Sequence, residues 1–403
     1  MFLSTIIAIL CGILAGVVTG LIPGIHINLV SLLLVSISGY FLAITSSLTL
    51  GVFIIAMAVT HTFLDSIPSI FLGAPDADMV LGVLPGHKLL LEGKGYEAVK
   101  LTTIGSLVCL VLVVLIIPIM IPAVPWIYSV IQPFIGWILI FVVVFMLLKE
   151  NGVKGKLWGS YVFLLSGVLG MIVFSLPNLK QPLFPMLSGL FGVSTLITSL
   201  SNNVKVPKQK ITETIVVEKK NKFKAYGAAV FSGSLTGMFP GLGSAQAAIL
   251  STQLVGDIGN HAFLILVGGI NTVNFVFSLV TLYTLQKARN GAIVAVMEIL
   301  KEISVNELVV FLCAALIAGG IATFLALFIT RGFSSLINKI NYRKLCISII
   351  TLISVLVLYF SGIIGILILV VSTAIGIIPA LVGVKRSNAM GCLLLPVILY
   401  FIL

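Results

Sequence analysis

Sixty per cent of the 403 residues are hydrophobic and 9% are charged, against roughly 25% charged in an ordinary soluble domain. No water-soluble fold has interior enough for that apolar surface, so a soluble enzyme or binding module is excluded and hydrocarbon is the solvent for most of the chain. The net charge of +11 does not point to nucleic acid, because the cations sit in short loops between apolar runs, as membrane orientation requires.

Backbone in lipid must satisfy its own hydrogen bonds, and the apolar runs lack the alternation of barrel strands. The predicted class is therefore an all-α polytopic membrane protein. The first helix is expected over residues 4–22; no basic residue precedes the run at 2–10 and further spans follow at once, unlike a secretory leader. Spans are then expected at 27–42, 48–64, 101–121, 134–148, 157–174 and 183–200. Between the third and fourth, residues 67–78 are apolar but too broken to cross, and read either as a re-entrant loop with Asp76 and Asp78 at its mouth or as a surface turn. A polar, Lys-rich stretch at 201–224 divides the chain, and spans resume at 225–239, 245–255, 262–285, 308–329, 345–361, 364–381 and 389–403. The expected organisation is a first membrane repeat over 1–200, a basic cytoplasmic linker over 201–224 and a second membrane repeat over 225–403.

Charge fixes the expected orientation. With the linker in the cytoplasm, the loops at 85–100, 149–156, 331–344 and 385–386 fall on its side, and of the 23 Lys and Arg only Lys180, Lys287, Arg289 and Lys301 lie elsewhere. An odd number of spans per half then makes the two repeats inverted and puts both termini outside the cell membrane. Trp126, Trp137 and Trp158 fit interface anchors, and the five cysteines, scattered singly through apolar blocks, read as packing residues.

The halves share a motif, GxxTGxxPG, as Gly16, Thr19, Gly20, Pro23 and Gly24 and again as Gly233, Thr236, Gly237, Pro240 and Gly241. Proline removes an amide donor and clashes with the preceding turn, while the glycine beside it lets the chain turn. Such breaks inside lipid are tolerated only where they line a cavity or are buried in protein, and matching breaks in two halves point to a transporter's binding site. Half-helix N-termini offer positive charge to an anion, and the opposing carbonyl ends can hold Na⁺. The bland reading makes each Pro-Gly a kink.

Around the breaks lie Thr19, His26 and Asn28 in the first half and Thr236, Gly243, Ser244 and Gln246 in the second; the hydroxyls either line the site or bond their own helix. Deeper in the spans, His61, Thr62 and Asp65 correspond loosely to Asn271, Thr272 and Asn274. An ionisable residue inside a span is a functional candidate by default, and Asp65 is the strongest; the other reading is a stabilising pair with His61. The expected substrate- and ion-binding set is thus Thr19, Gly20, Pro23, Gly24, His26, Asn28, His61, Thr62, Asp65, Thr236, Gly237, Pro240, Gly241, Gly243, Ser244, Asn271 and Asn274, with Na⁺ as the one metal it suits and no cofactor. The sequence carries no GxxxxGK[ST], HExxH or GxSxG. An intramembrane enzyme, resting on Asp65 and Asp76, remains a remote reading, and a polyprenyl-phosphate or other lipid-linked anion translocase a nearer one.

At these residues the chain resembles the large membrane subunit of the tripartite tricarboxylate transporters, the TctA family. Gly20 to His26 and Gly237 to Gly243 resemble the family's GxxPGxG element. Pro68 to Pro75 resembles its ITAILLNTPG stretch, and Leu84 to Lys88 with Glu92 to Ala98 resembles its DGYPMARKGRAGEAL signature. The chain departs from the pattern at His26, at Gly73 to Asp76, and at Lys287 to Gly291. The resemblance implies uptake of small organic anions of the carboxylate class, coupled to Na⁺ or H⁺, with a small membrane subunit and an extracytoplasmic binding protein as partners; the short, divergent chain suits an archaeal or stand-alone branch.

Overall fold

The computed structural model describes residues 2–22, 27–36, 38–73, 79–177, 179, 181–201, 207–239, 243–337 and 342–403, and among these there is no strand. The first half forms α1 (Phe2–Leu21), α2 (Ile27–Ser36), α3 (Ser38–Leu42), α4 (Ser47–Leu64), α5 (Ser66–Phe71), α6 (Val83–Leu91), α7 (Gly95–Ile131), α8 (Ile135–Leu148), α9 (Gly152–Ser175), α10 (Leu183–Leu187) and α11 (Ser194–Ser201), the last two joined by a π-helical turn at Ser188–Val193. The second half forms α12 (Lys219–Met238), α13 (Ser244–Val255), α14 (Gly259–Leu285), α15 (Gly291–Leu300), α16 (Val305–Ile337), α17 (Tyr342–Val382) and α18 (Gly391–Ile402). Among the described residues, seven helical stretches are long and apolar enough to cross a membrane.

Several expected boundaries give way to longer or additional helices. The span expected at 101–121 is α7, which runs on to Ile131 through Pro118, Pro122 and Pro125. All three prolines lie on the exposed side. Where no water competes for the freed carbonyls, leaving the helix costs more than losing single amide bonds. The stretch expected at 67–78 as a re-entrant loop or a surface turn opens with α5, whose every residue is buried, and the loop expected at 85–100 holds most of α6, with Gly86 packed on Ile70, and the start of α7. Residues 291–300 were not expected to be regular, yet Asn290 caps α15 by accepting the Ile293 amide at 3.0 Å. The two expected spans at 345–361 and 364–381 meet at Gly362, whose φ of 66° interrupts α17.

The helices pack in two groups. In the first, α1 lies along α4 and α12 along α14, while α14 packs on α7 and α4 on α16. In the second, α18 packs on α8 and α9, and α17 on α9, α10, α11 and the π-helical turn. Each half of the chain therefore gives its leading helices to one group and its trailing helices to the other. The groups meet chiefly where α13 lies on α8 and α6 on the π-helical turn.

Association inside lipid lacks a hydrophobic driving force between helices, so close backbone approach carries the packing. In the first group a side chain at Gly105 of α7 would run into the Ile265 carbonyl of α14, and one at Gly268 of α14 into the Thr102 carbonyl of α7. Ser106 donates to the Gly268 carbonyl across the same contact at 2.9 Å. The second group repeats the device: Gly170 lies on the Cys392 carbonyl and Gly391 on the Phe163 carbonyl, as Gly376 lies on Leu190 and Gly189 on Leu369. Outward faces of α7, α8, α9, α16 and α17 carry exposed Leu115, Phe141, Leu164, Phe324 and Tyr359, the surface that meets hydrocarbon.

One end of the bundle gathers the basic loops. Gln209 accepts the Gly95 amide and donates to the Leu90 carbonyl, both at 2.9 Å, and Lys210 N–H donates to the Gly93 carbonyl, pinning the linker to the start of α7. Lys88, Lys149, Lys385 and Arg386 line one cavity at this end. The 37 residues of α7, about 55 Å of helix, carry the chain from there to Tyr128, which shares a second cavity with Lys287, Arg289 and Tyr400 near the C-terminus.

Candidate functional site

The centre of the first group is the crossing of α4 and α14. Thr272 is the middle residue of the 27-residue α14, so the last turn of α4, with Thr62, crosses α14 at its midpoint. There the Thr62 and Thr272 hydroxyls meet at 3.1 Å. Asn271 Nδ2 donates to Asp65 Oδ2 at 2.6 Å and lies 3.4 Å from the Thr62 carbonyl. Asp65 sits where α4 gives way to α5, its carbonyl accepting from the Ser69 hydroxyl at 2.7 Å. Asp65 and Asn271 are each 2% exposed, which makes this a carboxylate enclosed in protein, within a helical stretch long and apolar enough to cross a membrane.

The helix ends that lead into both expected breaks dock against this crossing. Gly20, near the end of α1, packs on Leu64, and Thr19 Oγ1 lies 3.2 Å from His61 Nδ1. Gly237, near the end of α12, packs on the Asn274 carbonyl and Phe277, and Thr236 donates to Asn274 Oδ1 at 3.4 Å. Asn274 Nδ2 reaches Ser244 Oγ at 3.4 Å, at the N-terminus of α13. Gln246 accepts the Gly243 amide at 3.0 Å, occupying one of the donors that open that helix.

Thr19, Gly20, His61, Thr62, Asp65, Thr236, Gly237, Gly243, Ser244, Asn271 and Asn274 are thus held on one crossing and the helix ends beside it. Asn28 lies in the first turn of α2. Pro23, Gly24, His26, Pro240 and Gly241 fall outside the described residues, as do Asp76 and Asp78. Across the crossing Asn271 bonds Asp65, while Thr19 lies against His61 and Thr236 against Asn274.

Residues beyond the expected set complete the site. Thr281 donates to the Gly237 carbonyl at 3.0 Å and Ser278 to the Asn274 carbonyl at 2.7 Å. Asn271, Asn274, Ser278 and Thr281 form a polar stripe at helical spacing, a signal present in the sequence. Tyr128 is different, for nothing local marks it: its ring stacks on Phe239, next to the second break, at 5.3 Å. Lys287 donates to its hydroxyl at 3.2 Å, and Arg289 stands 5.5 Å from its ring centre. These cations border a cavity of about 700 Å³ at the end opposite the basic loops.

Chemically, the crossing and the helix ends on it offer the Asp65 carboxylate, the neighbouring His61 imidazole, the hydroxyls of Thr19, Thr62, Thr236, Ser244 and Thr272, and the amides of Asn271 and Asn274. Carboxylate, hydroxyl and carbonyl oxygens suit a small cation or a proton, and the α13 N-terminus beside them favours negative charge. Among the described residues no group of three or more His, Cys, Asp or Glu is placed to hold a metal ion.

The family model of the "Tripartite tricarboxylate transporter TctA family" matches residues 6–391. An uncharacterized protein of Methanocaldococcus jannaschii is 29% identical over 363 residues, 87% of this chain and 88% of that protein. No solved structure matches.

Proposed function

Because the chain belongs to the tripartite tricarboxylate transporter TctA family, a family of carboxylate transporters and not of enzymes, we propose that it moves a small organic anion across the cell membrane by secondary transport, coupled to Na⁺ or H⁺ at Asp65. The observation that supports this most is the buried pair of Asp65, at the α4–α5 junction, with Asn271, midway along α14, and the ends of α1 and α12 docked on the same crossing. A carboxylate there exchanges Na⁺ or a proton with the surroundings only through protein, which is what coupling needs. The anion binds beside it, against the α13 N-terminus and the backbone of the two Pro-Gly segments, with Ser244, Asn274 and Thr236 as side-chain donors. The two repeats are inverted about this centre, and alternating access comes from the first helix group moving against the second. A small membrane subunit and an extracytoplasmic binding protein deliver the substrate.

Purified protein in liposomes provides the test. Labelled citrate or another di- or tricarboxylate is offered under an imposed Na⁺ gradient and, separately, a pH gradient. One gradient is expected to drive uptake, and Asp65→Asn to abolish the gradient's effect while leaving the protein folded. Uptake in Asp65→Asn that still follows the gradient removes Asp65 from the coupling role; no carboxylate uptake under either gradient, with or without added partner subunits, sinks the transport reading.

A further inference from the structure

The cavity at the basic end does not belong to the α4–α14 crossing. It holds about 650 Å³ and is walled on one side by α6, the end of α13 and the turn before α14, all of the first helix group, and on the other by the end of α8, the π-helical turn with α11, and residues 385–387, all of the second. Volumes of this order suit a small ligand. Four cations border it, Lys88 from the first group and Lys149, Lys385 and Arg386 from the second, with Asp257 as the acid among its described lining residues. Arg386 is held in place by donating to the Thr195 hydroxyl. Glu150 fixes the backbone beside it, accepting the Lys385 amide at 3.2 Å and Asn388 Nδ2 at 2.9 Å. Half-buried and short of water, Arg386 has its pKa lowered by burial, so a bound anion there gains more than one at an open surface.

We propose that this cavity is a second anion-binding station, specific for polycarboxylates, in which one carboxylate meets Lys88 and another meets the Lys149, Lys385 and Arg386 cluster, so that the bound anion ties the two helix groups together at the linker end. The inference rests on the transport reading for its substrate class, and it adds a site whose lining does not include Asp65 or Asn271. A monocarboxylate satisfies only one wall. Anions with two or three carboxylates reach both, and charge number becomes the basis of selection.

The test reads the cavity without requiring transport. Ser387, on the cavity wall, is changed to Cys in the full chain, and its modification by an anionic and a cationic methanethiosulfonate is timed alongside the parent chain. The anionic reagent is expected to react about tenfold faster or more at low salt, since a cleft of one charge sign concentrates counter-ions by that order, and the ratio falls as salt is raised. Citrate is expected to slow the reaction far more than acetate or inorganic phosphate at equal ionic strength. Lys88→Gln and, separately, the exposed Lys385→Gln are each expected to remove most of that protection. A reagent ratio near one overturns the proposal, as does protection by phosphate or acetate equal to that by citrate, or protection unchanged in Lys88→Gln. Inactive liposomes alongside intact citrate protection here count against the coupling site and not against this one.

Discussion

Asp65 and Asn271 are joined by a hydrogen bond across the α4–α14 crossing, and its size can be bracketed. Neutral hydrogen bonds between membrane helices average about 0.6 kcal/mol, while bonds to a charged group contribute roughly 1.5–3 kcal/mol. The 2.6 Å contact is at the short limit of charge-assisted bonds. A double-mutant cycle on Asp65→Asn and Asn271→Ala, followed by thermal unfolding in detergent, is therefore expected to give a coupling in the upper range; additive effects would mean that the pair is no more than neighbouring polar groups. His61, Asp65, Asn271 and Asn274 were legible in the sequence because a polar residue in an apolar span announces itself. Their pairing was not, since which of two asparagines faces Asp65 depends on the register of α4 against α14, a tertiary quantity. The position of Tyr128 was illegible for the same reason: its ring packs on Phe239, distant in sequence.

Elements were legible where apolar length decided them and obscured where proline or short length did. The span expected at 101–121 runs on to Ile131 through Pro122 and Pro125, because lipid favours continuation; α5, α6 and α15 are too short to announce themselves by hydropathy and are helical because they are covered. Nor does a single chain reveal which glycines are crossings. Gly268 is one: a methyl there meets the Thr102 backbone, which cannot rotate aside. Gly268→Ala is expected to destabilise the protein by about 1–3 kcal/mol, the usual cost of overpacking a tight contact. Gly320→Ala, on α16 with nothing within 4 Å of the added methyl, is expected to be neutral or to stabilise by up to ~1 kcal/mol through helix propensity. Thermal unfolding of the two variants against the parent checks the contrast, and equal shifts would show that the α7–α14 contact is looser than its geometry implies.

For the whole molecule, the division into two helix groups matters more than the division into two halves of sequence. The repeated Pro-Gly motif and the Lys-rich linker suggest two halves in the sequence, but not this grouping, because nothing local records that the trailing helices α8–α11 pack with α17 and α18. Transport by alternating access requires a boundary across which large parts slide or rock. The seam between the groups, with a cationic cavity at each end, is the boundary best suited to that. Leu84 and Phe191 face the same cavity from opposite groups, so cysteines placed at both, joined by a reducible bifunctional thiol reagent, tie the groups without touching Asp65. Uptake into liposomes is expected to fall to a small fraction when the bridge forms and to return on reduction. The α12–α13 pair Ser232 and Ser251, whose hydroxyls lie 2.5 Å apart inside the first group, bridged in the same way, is expected to leave uptake largely intact. Transport that survives the Leu84–Phe191 bridge would place the moving boundary elsewhere, since a fixed seam cannot open alternately at its two ends.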